Sequence, residues 1–295
     1  MKIMTVYAHP ADTITNCGGT LALHHDNGDE IVAVILTHGG RIHPNVYAEE
    51  WRKANPDDAR THATLSEIAA NKERELRAAA AIIGIDQVIT LNHDDTMATV
   101  HEDVVEEVAR LIAEHRPDVL IADYPMNPVV TAASHTIATM TAIAAIERAG
   151  SFLKNLDGTE EVNVKQVFLG GMPTFAPDAL SLHGTRNDLH IDITDVVDRK
   201  LAAMDQFVSQ GYDGLFARKL LESHNGEFGR CAGVNFAEAF VRYRNETHRL
   251  LPVTEHAQRV DPLTRHISYS EINVRERFPV QVPSADSKPS ADPQR

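Results

Sequence analysis

Residues 2–19, KIMTVYAHPADTITNCGG, join an apolar run to a segment with a histidine and an aspartate three positions apart. The run 2–8 is continuous and rich in β-branched residues, which is typical of a strand buried on both faces of a sheet. A dinucleotide-binding protein would carry a GxGxxG loop directly after such a strand. This chain has His9 and Asp12 there instead. By itself, that spacing fits a turn with a capping aspartate more often than a metal site.

Apolar runs of strand length alternate with helical patterns through the first half of the chain. Runs at 30–37, 87–91 and 118–124 predict three further buried strands. The first helical pattern begins near Gly18 and ends at Gly28, and the later ones end at Gly84, before Pro117 and at Gly150. This alternation predicts a doubly wound, mostly parallel sheet with helices on both faces.

The second half of the chain is less regular. Residues 164–171 and 189–193 predict further strands, and 194–210 predict an amphipathic helix capped by Thr194 or Asp195. We expect a single α/β domain over residues 1–252 and an extended C-terminal arm over 253–283. The last residues, 284–295, are rich in Ser, Asp and Pro and predict a disordered tail.

Composition and charge narrow the class of protein. The 295 residues are 43% hydrophobic and 24% charged, as in ordinary globular proteins. The formal charge of −14 argues against a nucleic-acid partner, which needs a basic surface. The longest apolar stretch is far too short to span a membrane, and the N-terminal residues have no secretion-signal pattern. Cys17 and Cys231 fit no disulfide framework, so we expect a cytoplasmic protein with reduced thiols.

A third ligand candidate follows the fourth predicted strand. In the strand order 3-2-1-4-5-6, strands 1 and 4 are neighbours, and ligands bind beyond their carboxyl ends. His9 and Asp12 follow strand 1, and His135 opens the helix after strand 4. The three side chains could therefore meet in one crevice. Two imidazoles and one carboxylate, with a position left for water, are a common catalytic zinc set.

Several segments resemble the PIG-L/LmbE family of metal-dependent deacetylases. AHPADTITNCGGTLALHHDNGDEIVAVILTHG (8–39) is similar to the AHPDD opening of the family. Other similar segments are KERELRAAAAIIGI (72–85), SHTIATMTAIAAI (134–146), DITDVVDRKLAAM (192–204) and GRCAGVNFAEAF (229–240). The resemblance implies a Rossmann-like fold and a zinc or other divalent metal held by His9, Asp12 and His135. It also implies a small-molecule substrate and a homo-oligomer.

The chain departs from the family pattern at three positions. The aspartate that serves as general base is Ala11 here, the first histidine of HPDH is Ala132, and the glutamate of TxGE is Gly40. The metal ligands are kept while the groups that transfer protons are replaced. Loop residues on the same edge of the sheet as the metal ligands could take over proton transfer. We predict His38, His93 and Asp94 as catalytic candidates. His43, Glu49 and Glu50 are weaker candidates, and Arg41, Lys72 and Asn127 are predicted substrate contacts.

Two reactions fit these residues. The first is amide hydrolysis, namely the de-N-acetylation of an amino-sugar derivative by metal-activated water. The second is the hydration of an unsaturated polycarboxylate, because the family includes a hydratase branch, typified by 4-oxalomesaconate hydratase, that also opens with AHPAD. A non-catalytic metal-binding protein is the third interpretation.

Overall fold

One mixed sheet organises the chain. The computed structural model describes residues 1–42, 45–125, 133–157, 162–170 and 187–259. In these ranges, seven strands form the sheet in the order β3-β2-β1-β4-β5-β7-β6. The strands are β1 (Lys2–Tyr7), β2 (Glu30–Thr37), β3 (Gln87–His93), β4 (Val119–Asp123), β5 (Gln166–Gly170), β6 (Leu189–Asp192) and β7 (Ala237–Arg242).

The first five strands are parallel, as the sequence predicts. β1 pairs with β2 on one side and with β4 on the other, so the neighbours expected at the switch point are confirmed. β3 and β5 extend the parallel part outward. β7 pairs antiparallel with β5, and β6 pairs antiparallel with β7. β7 was missed from the sequence because the buried Glu238 interrupts its apolar pattern.

Helices cover both faces of the sheet and divide the core in two. The core of one face includes residues of α1 (Asp12–Asp26), α4 (Leu65–Ile83) and α7 (Val197–Met204). The core of the other face includes residues of α5 (Glu102–His115) and α6 (Ala133–Asp157). The remaining described helices are short: α2 (Asn45–Glu50), α3 (Asp58–Thr61), α8 (Gly214–Leu220), α9 (Gly226–Ala232) and α10 (Glu255–Arg259).

Helix ends agree with the sequence where local signals are strong. Thr64 and Glu67 form a capping box at the start of α4, and Gly84 ends it in the left-handed conformation, with φ +93°. Other ends were predicted wrongly. α1 begins at Asp12 rather than near Gly18, and α6 continues past Gly150. The predicted helix 194–210 is divided into a 3₁₀ turn, α7 and a second 3₁₀ turn.

The C-terminal segment is described only in part. Residues 253–259 include α10, while the rest of the predicted arm and the predicted tail lie outside the described residues. No helix in the described part of the chain is both long and apolar enough to cross a membrane.

Candidate metal centre

His9, Asp12 and His135 lie together at the carboxyl edge of β1 and β4. His9 follows β1, Asp12 is the first residue of α1, and His135 lies in the first turn of α6. All three are buried, and one ligand atom from each lies within 4.8 Å of the other two. The imidazole rings of His9 and His135 meet edge to face, with 4.7 Å between their centroids. Because β1 pairs with β4, side chains that are far apart in the sequence come together at this edge.

The Asp12 carboxylate lies between the two imidazoles. Its Oδ2 accepts a hydrogen bond from the backbone N–H of His9 at 2.7 Å. The same oxygen lies 3.4 Å from Nδ1 of His9 and 3.5 Å from Nδ1 of His135. Burial raises the pKa of this carboxyl, but the charges of His135 and His9 outweigh it and hold the pKa well below its usual range. Asp12 is therefore an anionic ligand candidate at neutral pH.

A buried carboxylate that the sequence did not single out holds His135. Nδ1 of His135 lies 2.8 Å from Oδ2 of Asp123, the last residue of β4. The other oxygen of Asp123 accepts from Nδ2 of Asn16 at 2.7 Å. Burial lowers the pKa of His135, but Asp12 and Asp123 raise it to about 9. Metal-binding histidines commonly have such a carboxylate behind them, which fixes the ring and its tautomer.

The donor set fits a divalent metal. Nε2 of His135 is buried, and no hydrogen-bond partner contacts it in the structure as described. A buried ring nitrogen without a partner is costly unless a ligand satisfies it. With Nδ1 donating to Asp123, a metal that displaces the Nε2 proton would find the lone pair of Nε2 available for coordination. Two imidazoles and a carboxylate suit zinc and other divalent metals that bind nitrogen and oxygen ligands.

The loop after β2 packs directly on His9. Gly39 has φ +63°, and a Cβ at this position would lie 3.1 Å from Cδ of Pro10 and 3.6 Å from the His9 side chain. Its carbonyl oxygen accepts from Nζ of the fully buried Lys72 at 2.6 Å. Lys72 was predicted to contact substrate; its described contact is with the backbone of this loop. The loop that carries His38 is thereby fixed beside the centre.

His38 belongs to a second cluster with Asp94 and Asp95. Nδ1 of His38 accepts from the backbone N–H of Gly40 at 3.0 Å and lies 3.2 Å from Oδ1 of Asp95. Asp95 is fully buried, and its carboxylate accepts from the backbone N–H groups of Arg41 and Ile42. Protein donors thus already satisfy this carboxylate. Its neighbour Asp94 was predicted from the sequence, whereas Asp95 was not.

The other predicted site residues are spread more widely. The exposed Asp94 accepts hydrogen bonds from Nε of Arg41 at 2.8 Å and from the Thr96 hydroxyl. The hydrogen bonds from Thr96 and Arg41 lower the pKa of Asp94. His93 turns toward α5, where its Nε2 lies 2.8 Å from Oε2 of Glu107. Asn127, like His43 and Ala132, lies outside the described residues.

The two weaker catalytic candidates, Glu49 and Glu50, form ion pairs, and a groove lies beside His38. Glu50 is engaged by Lys53 and Arg60, and Glu49 by Arg52. A groove of about 520 Å³ opens beside His38 and is lined by Leu65, Ser66, Ala69, Ala70, Glu73 and Asn92.

Comparison with known proteins gives a consistent result. Residues 4–146 match the family model PIG-L, described as GlcNAc-PI de-N-acetylase, so the resemblance seen in the sequence is confirmed. A diacetylchitobiose deacetylase from Thermococcus kodakarensis is 23% identical over 240 residues, which are 80% of this chain and 81% of that protein.

Solved structures share the fold. GalB, the 4-carboxy-2-hydroxymuconate hydratase from Pseudomonas putida, matches with a TM-score of 0.68 and 22% identity over 85% of this chain and 99% of that one. The N,N'-diacetylchitobiose deacetylase from Pyrococcus horikoshii matches with a TM-score of 0.65 and 22% identity, over 82% and 83% of the two chains. At this identity the structural matches establish the α/β fold. Of these three relatives, two are deacetylases and one is a hydratase.

Proposed function

Because residues 4–146 match the PIG-L family and the buried donor set fits a divalent metal, we propose that this chain is a metal-dependent deacetylase. The observation that carries the proposal is the meeting of His9, Asp12 and His135, with Nε2 of His135 buried and without a hydrogen-bond partner among the described contacts. We propose zinc as the native metal, a small polar substrate, a cytoplasmic location and a homo-oligomer.

The chain's own residues have distinct roles in this proposal. His9, Asp12 and His135 hold the metal, and Asp123 orients His135 through the contact at 2.8 Å. A divalent metal bound there supplies Lewis-acid activation of water. The assignment rests on the donor set and its burial.

His38 is the proposed proton-transfer residue. Its loop lies beside His9 at Gly39, and its Nδ1 accepts a hydrogen bond from the backbone N–H of Gly40. An imidazole side chain can take up a proton and return it during a reaction, as a general base does. The ring of His93 is engaged by Glu107, and the exposed Arg41–Asp94 pair is better placed to meet a polar substrate than to transfer protons. Asn127 remains a predicted substrate contact.

De-N-acetylation of an amino-sugar derivative is the favoured reaction. The sequence relative acts on diacetylchitobiose, and the matching family model is named for another N-acetylglucosamine derivative. These relatives support an amide as the bond that is broken.

Hydration of an unsaturated polycarboxylate is the second candidate because of Ala11. This residue, where the deacetylase pattern has its general base, is fully buried in the apolar core of the α1 face. A methyl group there cannot transfer a proton. Its presence therefore favours a reaction that uses a base at another position. The shared fold with the GalB hydratase is compatible with that reaction.

Ala11→Asp separates the two reactions. If the chain is a deacetylase, the added carboxylate should raise amide hydrolysis by roughly tenfold or more, since a positioned base contributes about 10²–10⁴-fold. If it is a hydratase, the new negative charge should repel a polycarboxylate and reduce hydration sharply. Metal-loaded proteins are assayed on N,N'-diacetylchitobiose and on an unsaturated polycarboxylate, with metal content measured alongside.

Ala11→Asn is the matched control, because it adds almost the same volume without the charge. A gain in hydrolysis with Asp but not with Asn supports the deacetylase, and a loss of hydration with Asp but not with Asn supports the hydratase. Wild-type protein that holds its metal and acts on neither substrate class, with no effect of Asp, contradicts both reactions.

A further inference from the structure

Helix α1 is broken one turn after the metal ligand Asp12. Cys17 has φ −136° and ψ +16°, outside the helical range, between the first turn and the rest of the helix. A regular helix would pair the N–H of Gly19 with the carbonyl of Thr15. Here the N–H of Gly19 donates to Oε1 of Glu238 at 2.9 Å, and the Thr15 carbonyl accepts from Nζ of Lys200 at 2.8 Å.

Lys200 and Glu238 form an ion pair inside this break. Nζ of Lys200, on α7, lies 2.7 Å from Oε1 of Glu238, on β7, and both side chains are fully buried. Nζ also donates to Oδ1 of Asn225 at 3.2 Å, so its three N–H groups have three acceptors. Oε2 of Glu238 accepts from the N–H of Thr20 at 2.7 Å. A buried ion pair is tolerated when its hydrogen bonds are satisfied in this way.

The pair acts on the two halves of α1 in opposite ways. Glu238 caps the new N-terminus that begins after the break, where free amides and the helix dipole favour a carboxylate. Lys200 binds the carbonyl that ends the first turn. The direction of the first turn relative to the rest of α1 is therefore set by groups on α7 and β7.

That first turn carries two residues of the metal centre. Asp12 and Asn16 are four positions apart and so lie on one face of the turn. Asp12 is a ligand candidate, and Asn16 donates to Asp123, which in turn holds His135. A change in the direction of this turn would move one ligand directly and loosen the support of another.

We propose that Lys200 and Glu238 are a positioning pair that holds the first turn of α1 in the direction required for metal binding. The proposal rests on the proposed metal centre and extends it to residues that have no described contact with His9, Asp12 or His135. The main role of the pair would then be to fix the geometry of the metal centre, which lies on the other side of the helix break.

Glu238→Gln tests the proposal with little change in shape. Gln can accept from one amide but carries no charge and presents an NH₂ group to the other donors. We expect Co²⁺, titrated into metal-free protein, to bind about 10-fold or more weakly, as for other residues that support a metal ligand. The absorption spectrum of bound Co²⁺ should shift. Asn225→Ala removes one acceptor of Lys200. It should weaken Co²⁺ binding and shift the spectrum in the same direction, but less than Glu238→Gln does.

Ile112→Ala is the control for a general loss of stability. Ile112 is fully buried in the core of the other face, on α5. Its truncation should lower the thermal midpoint while leaving Co²⁺ affinity and spectrum unchanged. If Glu238→Gln and Asn225→Ala also lower stability but keep wild-type affinity and spectrum, the pair is merely structural and the proposal is wrong.

A second measurement does not require the metal. Hydrogen exchange of metal-free protein should be faster in Glu238→Gln over the peptide 11–20, beyond any change seen in Ile112→Ala. Equal exchange in this peptide contradicts the positioning role. If wild-type protein binds no Co²⁺, the proposed metal-dependent function fails, and the exchange result still decides whether the pair directs the first turn.

Discussion

At the scale of single residues, Lys72 links the candidate site to the stability of the fold. The side chain is fully buried and donates to the Gly39 carbonyl. Burial lowers its pKa to about 8, against the opposing charges of Asp95, Glu75 and Asp12. The ordinary value is 10.5, so between these two values the unfolded chain binds more protons than the folded chain.

The free energy of unfolding should therefore contain a contribution from Lys72 that rises with pH. Between pH 8 and pH 10 this contribution amounts to about 2 kcal/mol. Denaturant titrations of wild type and Lys72→Met at both pH values measure it as the difference between the two pH dependences. Identical dependences would mean that the Lys72 ammonium is not destabilised in the folded protein.

Side-chain direction at the edge of the sheet was not predictable from the sequence. His38, His93 and Asp94 were expected there together, but His93 turns to Glu107 while Asp95 joins His38. Asn92 has φ +56°, and the pairing of β2 with β3 shifts register near this point. Such an irregularity breaks the alternation of side chains along a strand, so counting positions cannot assign a face.

At the scale of elements, Gly18 and Gly19 show how closely α1 packs. A Cβ on Gly19 would lie 2.8 Å from the Cβ of Ile193, whereas one on Gly18 would have its nearest neighbour, Cγ2 of Ile14, at 3.3 Å. Ala is favoured over Gly in a helix by about 1 kcal/mol, so the substitution is harmful only where space is lacking.

Gly19→Ala should lower the free energy of unfolding by about 1–3 kcal/mol, the usual cost of overpacking. Gly18→Ala, its matched control, should cost clearly less. Denaturant titrations compare the two variants with wild type. A Gly19→Ala protein as stable as Gly18→Ala would contradict the close packing of α1 on Ile193.

Two elements that were predicted wrongly, the start of α1 and the strand β7, share one physical cause. The first turn of α1 contains Thr13, Thr15 and Asn16, polar residues that are all buried, so it shows no amphipathic pattern. The buried Glu238 likewise interrupts the apolar pattern of β7. Burial of these groups depends on partners distant in the chain, such as Asp123 and Lys200. Where the signal was local, as at the end of α4 at Gly84, the sequence was sufficient.

At the scale of the whole molecule, the parallel part of the sheet was predictable because strands and helices alternate and crossovers are right-handed. The neighbouring positions of β1 and β4 followed, and with them the meeting of His9 and His135. The family resemblance added the metal to this geometry. Asn16 and Asp123, which support the centre, follow from no spacing rule and required the structure.

The proposed metal centre joins elements from both faces of the sheet, since α1 packs on one face and α6 on the other. Metal binding should therefore stabilise the entire fold. At a free Zn²⁺ concentration 100 times the dissociation constant, the gain is about 2.7 kcal/mol. The thermal midpoint should rise with Zn²⁺ in wild type and fall again with chelator. In His135→Ala it should not respond, and an equal rise there would place the binding elsewhere.

Elemental analysis of purified protein tests the central claim most directly. We expect about one divalent metal per chain in wild type, as for a centre with three protein ligands. His25→Ala, an exposed position in the last turn of α1, should keep this content. His9→Ala and His135→Ala should lose most of the metal while remaining folded. Metal content that is equal in all four proteins would contradict the assignment of His9, Asp12 and His135 as the metal centre.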